Sequence, residues 1–292
     1  MNLTCHSEFG RIHSLFIKGA AEAFISDEQM ETAWQSLNYL AKPVFSRALD
    51  EYDFFESTLK EQSEILFHLP FHHDTGMDSI YCRDASIATN RGMIICHMGK
   101  AARRGEPAAE EEAFLAQGIP ILGRIDPPGT VEGGDVAWLD ENTLAVGHTY
   151  RTNAAGIAQL GSLLEPLGVH LVTVALPHYR GPSDVFHLMS ILSPVNKNLA
   201  VVYSPLMPIS FRNLLLDRNY ELVEVPETEF ETMGCNVLAL APRLCMMVAG
   251  NPVTKSRLEK AGCQVITYQG NEISVKGGGG PTCLTRPIWR YK

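Results

Sequence analysis

The sequence has no surplus of positive charge: 24 Lys and Arg stand against 33 Asp and Glu, a formal net charge of −9. A nucleic-acid binder neutralises phosphates with a basic patch. None is visible along the chain, so nucleic acid is not an expected partner. Long hydrophobic runs are also missing. Runs such as LAVVY at 199–203 fall far short of the roughly 20 apolar residues of a spanning helix, and no membrane partner is expected. The start, MNLTCHSEFGRIHS, has no basic stretch followed by an apolar one, so no signal peptide is read. Paired cysteines are absent too. Cys5, Cys82, Cys96, Cys235, Cys245, Cys263 and Cys283 are odd in number and scattered, with no CxxC spacing. That argues against a structural zinc site. It fits a reducing cytoplasm, where most thiols behave as small buried apolar groups.

What is present is apolar content and a repeat. With 45% hydrophobic residues over 292 positions, the chain can bury a large core, which excludes global disorder. Four segments read as strand–turn–strand: 84–98, 132–147, 187–202 and 235–250, with starts 48, 55 and 48 residues apart. A period near 50 marks a repeat fold. Helical spacing and another strand follow the later hairpins: RTNAAGIAQLGSLLEPLG then HLVTVALP, SFRNLLLDRNYELVEVP, and VTKSRLEKAGCQVITYQG with Gly262 as the helix stop. The N-terminal part supplies a strand (RIHSLFIKG), a helical stretch from about 27 to 66 broken by Pro43, and a strand-like end, EILFHLP. The tail 282–292 adds a last strand. Five strand–strand–helix–strand units are expected, closing as a ring in a single domain, 1–292. The competing fold is an ordinary doubly wound sheet, which such even hairpins disfavour.

The repeat aligns unusual residues. Asp84, Glu132, His187 and Asn236 stand at or beside successive hairpin starts, and Cys283 follows Asn236 by 47 residues. Equivalent positions in a ring share one centre, which would collect two carboxylates, one imidazole and one thiol. Such a set suits attack by a thiolate on a cationic carbon, with the imidazole moving protons and the carboxylates holding the cation. Each residue also has a plainer reading. A buried Cys is usually filler, but Cys283 follows KGGGGPT, a string with little to pack and well suited to backbone close to a ligand. His187 could be a core histidine, and Asp84 could pair with Arg83. Gly-Gly after Glu132 could be a simple turn. Asp135 is expected to orient a neighbour rather than react. Cys82 and Cys96 read as core, and His72-His73 as a loop pair without metal spacing.

These residues resemble those of the guanidine-modifying enzymes: arginine deiminase, dimethylarginine dimethylaminohydrolase and their relatives. The resemblance is carried by DSIYCRDASIAT (78–89), ARRGE (102–106), VEGGDV (131–136), GHTYRTN (147–153), FHL (186–188), CNVLAL (235–240) and GGGGPTCLTRPIWR (277–290), in order through most of the chain. It implies the pentein fold, a fivefold pseudosymmetric α/β propeller. It implies Cys283 as nucleophile, His187 as general acid and base, and Asp84 and Glu132 as the guanidinium clamp. Arg103 and Arg151 would take the substrate α-carboxylate, with Arg104 as a rival for Arg103, and Asp78 the α-amino group. Asp135 is grouped with these substrate-side residues. Arginine fits the task because its planar fork binds a carboxylate with two parallel hydrogen bonds.

The implied reaction is cofactor-free hydrolysis of a guanidino amino acid through a thiouronium on Cys283, with no metal. The product would be citrulline, with ammonia or methylamine as the leaving group. Two departures bear on the substrate. Met189 stands where arginine deiminases carry an Asp, and Arg83 where bacterial dimethylarginine hydrolases carry an acid. A ureido substrate such as citrulline, an amidinotransferase and a non-catalytic ring remain as alternatives, and a homodimer stays open. The segment 16–30 is a lid candidate.

Overall fold

A tight hairpin, a crossover helix and a returning third strand recur along the chain. The protein is described here by a computed structural model, which covers residues 3–292. The first unit holds β1 (Ile12–Ile17), α1 (Ala20–Phe24), α2 (Asp27–Ala33), α3 (Phe45–Gln62) and β2 (Ile65–His68). The second holds β3 (Ser86–Thr89), β4 (Gly92–Ile95), α4 (Glu106–Ala116) and β5 (Ile121–Arg124). The third holds β6 (Val136–Asp140), β7 (Thr143–His148), α5 (Ala154–Leu164) and β8 (His170–Ala175). The fourth holds β9 (Leu192–Asn196), β10 (Leu199–Val202), α6 (Ile209–Asp217) and β11 (Glu221–Glu224). The fifth holds α7 (Glu227–Phe230), β12 (Leu238–Ala241), β13 (Leu244–Val248), α8 (Pro252–Lys260) and β14 (Gln264–Tyr268). The last strand is β15 (Arg286–Arg290).

These strands form five three-stranded sheets. In the four hairpin units the middle strand pairs antiparallel with the first and parallel with the third. The remaining sheet obeys the same rule with β15 as its first strand: β15 runs antiparallel to β1, and β2 parallel to it. A doubly wound sheet is thereby excluded, since no sheet among the described residues exceeds three strands.

Sequence explains which strands lie inside. Strands β3, β4 and β10 are buried at every position, and their sequences are continuous runs of apolar or small residues, as two-sided burial requires. The third strands β2, β5 and β8 are mostly half-buried or exposed. Each crossover helix buries one stripe. In α5 that stripe is Ile157, Leu160 and Leu164, and the helix begins where the Asn153 side chain accepts the Gly156 N–H at 2.8 Å. Helix α8 stops at Gly262, whose φ of +81° favours glycine. The break at Pro43 separates α2 from α3 as expected. Helix α4 and strand β5, which complete the second unit, carry no clear signal in the hairpin pattern.

In the segment 16–30, Phe16, Ile17, Ala20, Ala23, Phe24 and Met30 turn into the core, while Ala21, Glu22, Ile25, Asp27, Glu28 and Gln29 are exposed.

Candidate active site

Five lead-ins, one ahead of the first strand of each sheet, bring the chemistry together. Asp84 lies in the turn before β3, Glu132 and Asp135 flank the turn before β6, and His187 opens the turn before β9. Asn236 precedes β12, and Cys283 sits in the turn before β15. The glycines after Glu132 make the approach possible. A Cβ on Gly134 would stand 2.5 Å from His187 Nδ1 and 2.7 Å from Asp84 Oδ1. With only hydrogen there, the Gly134 N–H donates to Asp84 Oδ1 at 2.9 Å.

His187 and Glu132 form the centre. His187 Nε2 lies 2.8 Å from Glu132 Oε2, and its Nδ1 lies 3.9 Å from Asp84 Oδ1. Burial works against a charged imidazole. The carboxylates of Asp135, Asp84 and Glu132 outweigh it and push the ring's pKa up to about 9. Burial likewise opposes a charged Glu132, but the imidazolium and Arg151 hold its carboxyl well below the usual range. The pair is therefore an imidazolium–carboxylate at neutral pH.

Cys283 is half-buried, and its sulfur accepts a hydrogen bond from Asn236 Nδ2 at 3.3 Å. Thr282 fixes that amide: its N–H and hydroxyl both donate to Asn236 Oδ1, at 3.0 and 2.6 Å. The amide nitrogen is thus turned to the sulfur, where a donor favours the thiolate. Burial and the nearby Asp84 carboxylate still raise the thiol pKa, against Asn236 and Thr282. The glycine string at 277–280 has a packing cause beyond ligand access. A Cβ on Gly277 would strike the Tyr81 hydroxyl, one on Gly279 would stand 2.5 Å from the Tyr81 ring, and one on Gly280 2.5 Å from the Asn236 amide.

The substrate-side residues divide. Asp78 Oδ2 receives Lys100 Nζ at 2.6 Å, and the Lys100 backbone N–H donates to Glu132 Oε1 at 2.9 Å. Arg151 is buried with Nη1 3.5 Å from Glu132 Oε1. Arg103 departs from the expected role. Its Nη1 donates to Asp84 Oδ2 at 2.5 Å, its Nε to both Glu106 oxygens at 3.0 Å, and its Nη2 to Glu106 Oε2 and the Tyr81 carbonyl. A guanidinium engaged in this way holds Asp84 rather than facing an open carboxylate site. Arg104 is exposed. Asp135 accepts the Leu188 N–H (3.1 Å) and the Thr149 hydroxyl (2.7 Å), so it fixes the turn that carries His187. Arg83 pairs with Glu8, not with Asp84.

Two cavities meet at the Cys283–His187 pair. A narrow pit of about 20 Å³ is lined by Asp78, Asp84, Lys100, Arg103 and Arg151 together with Cys283 and His187. An outer cleft of about 290 Å³ carries Leu40, Tyr179, Phe186, Met189 and Phe230 beside the same pair. Asp84, Glu132 and His187 offer ligand atoms within 4.8 Å of one another, and so do His72, His73 and Asp74 at the surface. In the first set His187 Nε2 is already engaged by Glu132. Lys100 escaped sequence reasoning, because nothing but its nearness to Arg103 marked it. Asn236 was aligned by the repeat, but only the Thr282 contacts reveal its task.

The family and the relatives that match this chain are hydrolases acting on C–N bonds of linear amidines. The family model described as N,N dimethylarginine dimethylhydrolase, eukaryotic, matches residues 21–290, and the chain belongs to that family. The dimethylarginine dimethylaminohydrolase of Pseudomonas aeruginosa is 28% identical over 85% of this chain and 91% of its own length. The arginine deiminase of Listeria welshimeri is 27% identical over 76% of this chain and 64% of its own. The solved structure of the Pseudomonas aeruginosa enzyme, a mutant complexed with citrulline, superposes with a TM-score of 0.76 at 24% identity, over 96% of this chain and 100% of that one. At that identity the superposition speaks for the fold.

Proposed function

We propose that this chain hydrolyses a guanidino amino acid, an N-methylated arginine or arginine, to citrulline and an amine. One observation carries the reading: the half-buried Cys283 and His187, whose ring is held by Glu132 behind it, border one pit that Asp78, Lys100 and Arg151 also line. The α-ammonium goes to Asp78 and the α-carboxylate to Arg151, with Lys100 beside it. Arg103 acts as a positioning residue that holds Asp84. The guanidinium then lies between Asp84 and Glu132, its carbon at Cys283.

The thiolate attacks that carbon and a C–S bond forms. The C–N bond to the leaving nitrogen breaks as His187 delivers its proton, and a thiouronium remains on Cys283. His187, now neutral, takes a proton from water. The hydroxide adds to the same carbon, the C–S bond breaks, the thiolate returns, and the hydroxyl proton passes to solvent, where the released amine takes it up, as the urea carbonyl forms. Every atom is accounted for by substrate and water, with no cofactor. Asp84 and Glu132 keep the substrate cationic and electrophilic, and the bound cation in turn favours the thiolate. The leaving nitrogen faces the outer cleft, where Phe186 and Met189 form an apolar wall. That wall suits a methyl group better than a bare amino group and ranks methylarginine first. We read the five sheets as closing into one pseudosymmetric ring forming a single domain, 1–292, because β15 completes the sheet begun by β1.

The test is a panel of arginine, monomethylarginine, dimethylarginine, agmatine and citrulline, read by product mass spectrometry with Cys283→Ser as control. Citrulline released from methylarginine only by the unmodified enzyme supports the reading. Ornithine formed from citrulline would move the activity to a ureido hydrolase. Turnover only with an added acceptor amine would make the chain an amidinotransferase.

A further inference from the structure

A second buried charge cluster lies apart from the site. Arg83, Arg286, Arg290 and Glu8 line a cavity of about 10 Å³ together with Val136 and Trp138. None of its lining residues borders the pit or the outer cleft. The three arginines are 1%, 4% and 1% exposed. Arg83 Nη2 donates to both oxygens of Glu8, at 2.9 and 2.8 Å. Arg290 Nη1 donates to the carbonyls of Gly10 and Ala239 at 2.6 and 2.7 Å. Arg286 Nη1 donates to the carbonyls of Arg83 and Ser86. Four donors are left over: among the described residues, Arg83 Nε, Arg286 Nε, and Arg290 Nε and Nη2 are buried and meet no protein acceptor.

The charges do not balance. Three guanidinium groups share one carboxylate. The next acid, Glu110, is held by the Ser86 hydroxyl at 2.6 Å, and burial pushes its carboxyl up to about 8, so at neutral pH it adds little negative charge. A buried cation without a partner is strongly unfavourable. A water molecule would satisfy donors but not charge.

We propose that this cavity binds one small monovalent anion of halide size, held by Arg83, Arg286 and Arg290. A volume of about 10 Å³ is near the least that holds one small particle, so a single-atom anion suits it better than phosphate, sulfate or a carboxylate. The cavity joins the N-terminal segment at Ser7 and Glu8, the lead-in to β3, strand β6 and strand β15. The anion therefore ties the two ends of the chain to the sheets between them, and its effect falls on stability rather than on turnover.

Crystals of the unmodified protein grown with sodium bromide test this directly. An anomalous peak in contact with the three guanidinium groups is expected. At constant ionic strength, Tm is expected to be several degrees higher in chloride than in gluconate. Arg290→Met should abolish that difference, and Glu8→Gln, which removes the one carboxylate lining the cavity among the described residues, should lower the chloride concentration at which it is half-complete. No bromide peak in the cavity overturns the proposal. A peak with equal Tm in the two salts also overturns it and marks an adventitious ion only.

Discussion

The pit and the arginine cavity are both buried clusters of charge, built in part by neighbouring residues of the same turns and strands. Asp84 belongs to the pit and Arg83 to the cavity. Cys283 precedes β15, and Arg286 and Arg290 lie on it. They differ in balance. In and directly behind the pit each carboxylate already faces a cation: Asp78 faces Lys100, Asp84 faces Arg103, and the fully buried Glu132 faces His187 and Arg151. In the cavity three arginines compete for Glu8. A balanced network can hold its shape empty and exchange one partner for a substrate cation. An unbalanced one is stabilised by a ligand that supplies the missing charge. Burial alone therefore does not separate a working site from a structural one; the pairing does.

Substitutions in the pit should remove activity and spare the fold, and those in the cavity should do the reverse. The largest effect is expected for Cys283→Ser: hydrolysis falls to background while circular dichroism and the denaturation midpoint stay near those of the parent. His187→Gln should lower kcat/KM by about 10²–10⁴-fold, the usual share of a general acid–base group. On the other side of the comparison, Glu8→Gln should cost about 3–5 kcal/mol in urea unfolding measured in gluconate, partly regained in chloride. The folded fraction should keep its kcat.

Smaller effects sharpen the picture. Asn236→Ala removes the donor to the Cys283 sulfur, so iodoacetamide inactivation at neutral pH should slow, by about tenfold for each unit of thiol pKa. In the unmodified enzyme the thiol sits above its ordinary value and His187 near 9. The signs follow: thiolate grows as pH rises, and the imidazolium is lost above about 9. The profile of kcat/KM should therefore climb from neutral pH and turn over near that value. Asp135→Asn takes a carboxylate from beside His187 and should move the alkaline limb to lower pH, a shift that a purely structural role would not produce.

Much of this was legible in the sequence because repetition amplifies it. The four hairpins, Gly262 and the final strand follow from apolar runs and turn residues near a 50-residue period, and that alignment also selected Asp84, Glu132, His187 and Cys283. What stayed hidden depends on side-chain partners. Nothing in ARRGE says that Arg103 turns to Glu106 and Asp84, nor does RDAS say that Arg83 finds Glu8, far away in sequence. Lys100 and helix α4 lacked a periodic signal. In the lid candidate 16–30, the sequence does not say which side chains turn inward; Phe16, Phe24 and Met30 do.

The account's central claim is covalent catalysis at Cys283. Acid-quenched turnover of monomethylarginine, followed by intact-mass and peptide-mass analysis, tests it most directly. The prediction is an adduct on the peptide containing Cys283, equal to the substrate less methylamine, absent in Cys283→Ser. Full turnover with no adduct, or turnover that persists in Cys283→Ser, would contradict it.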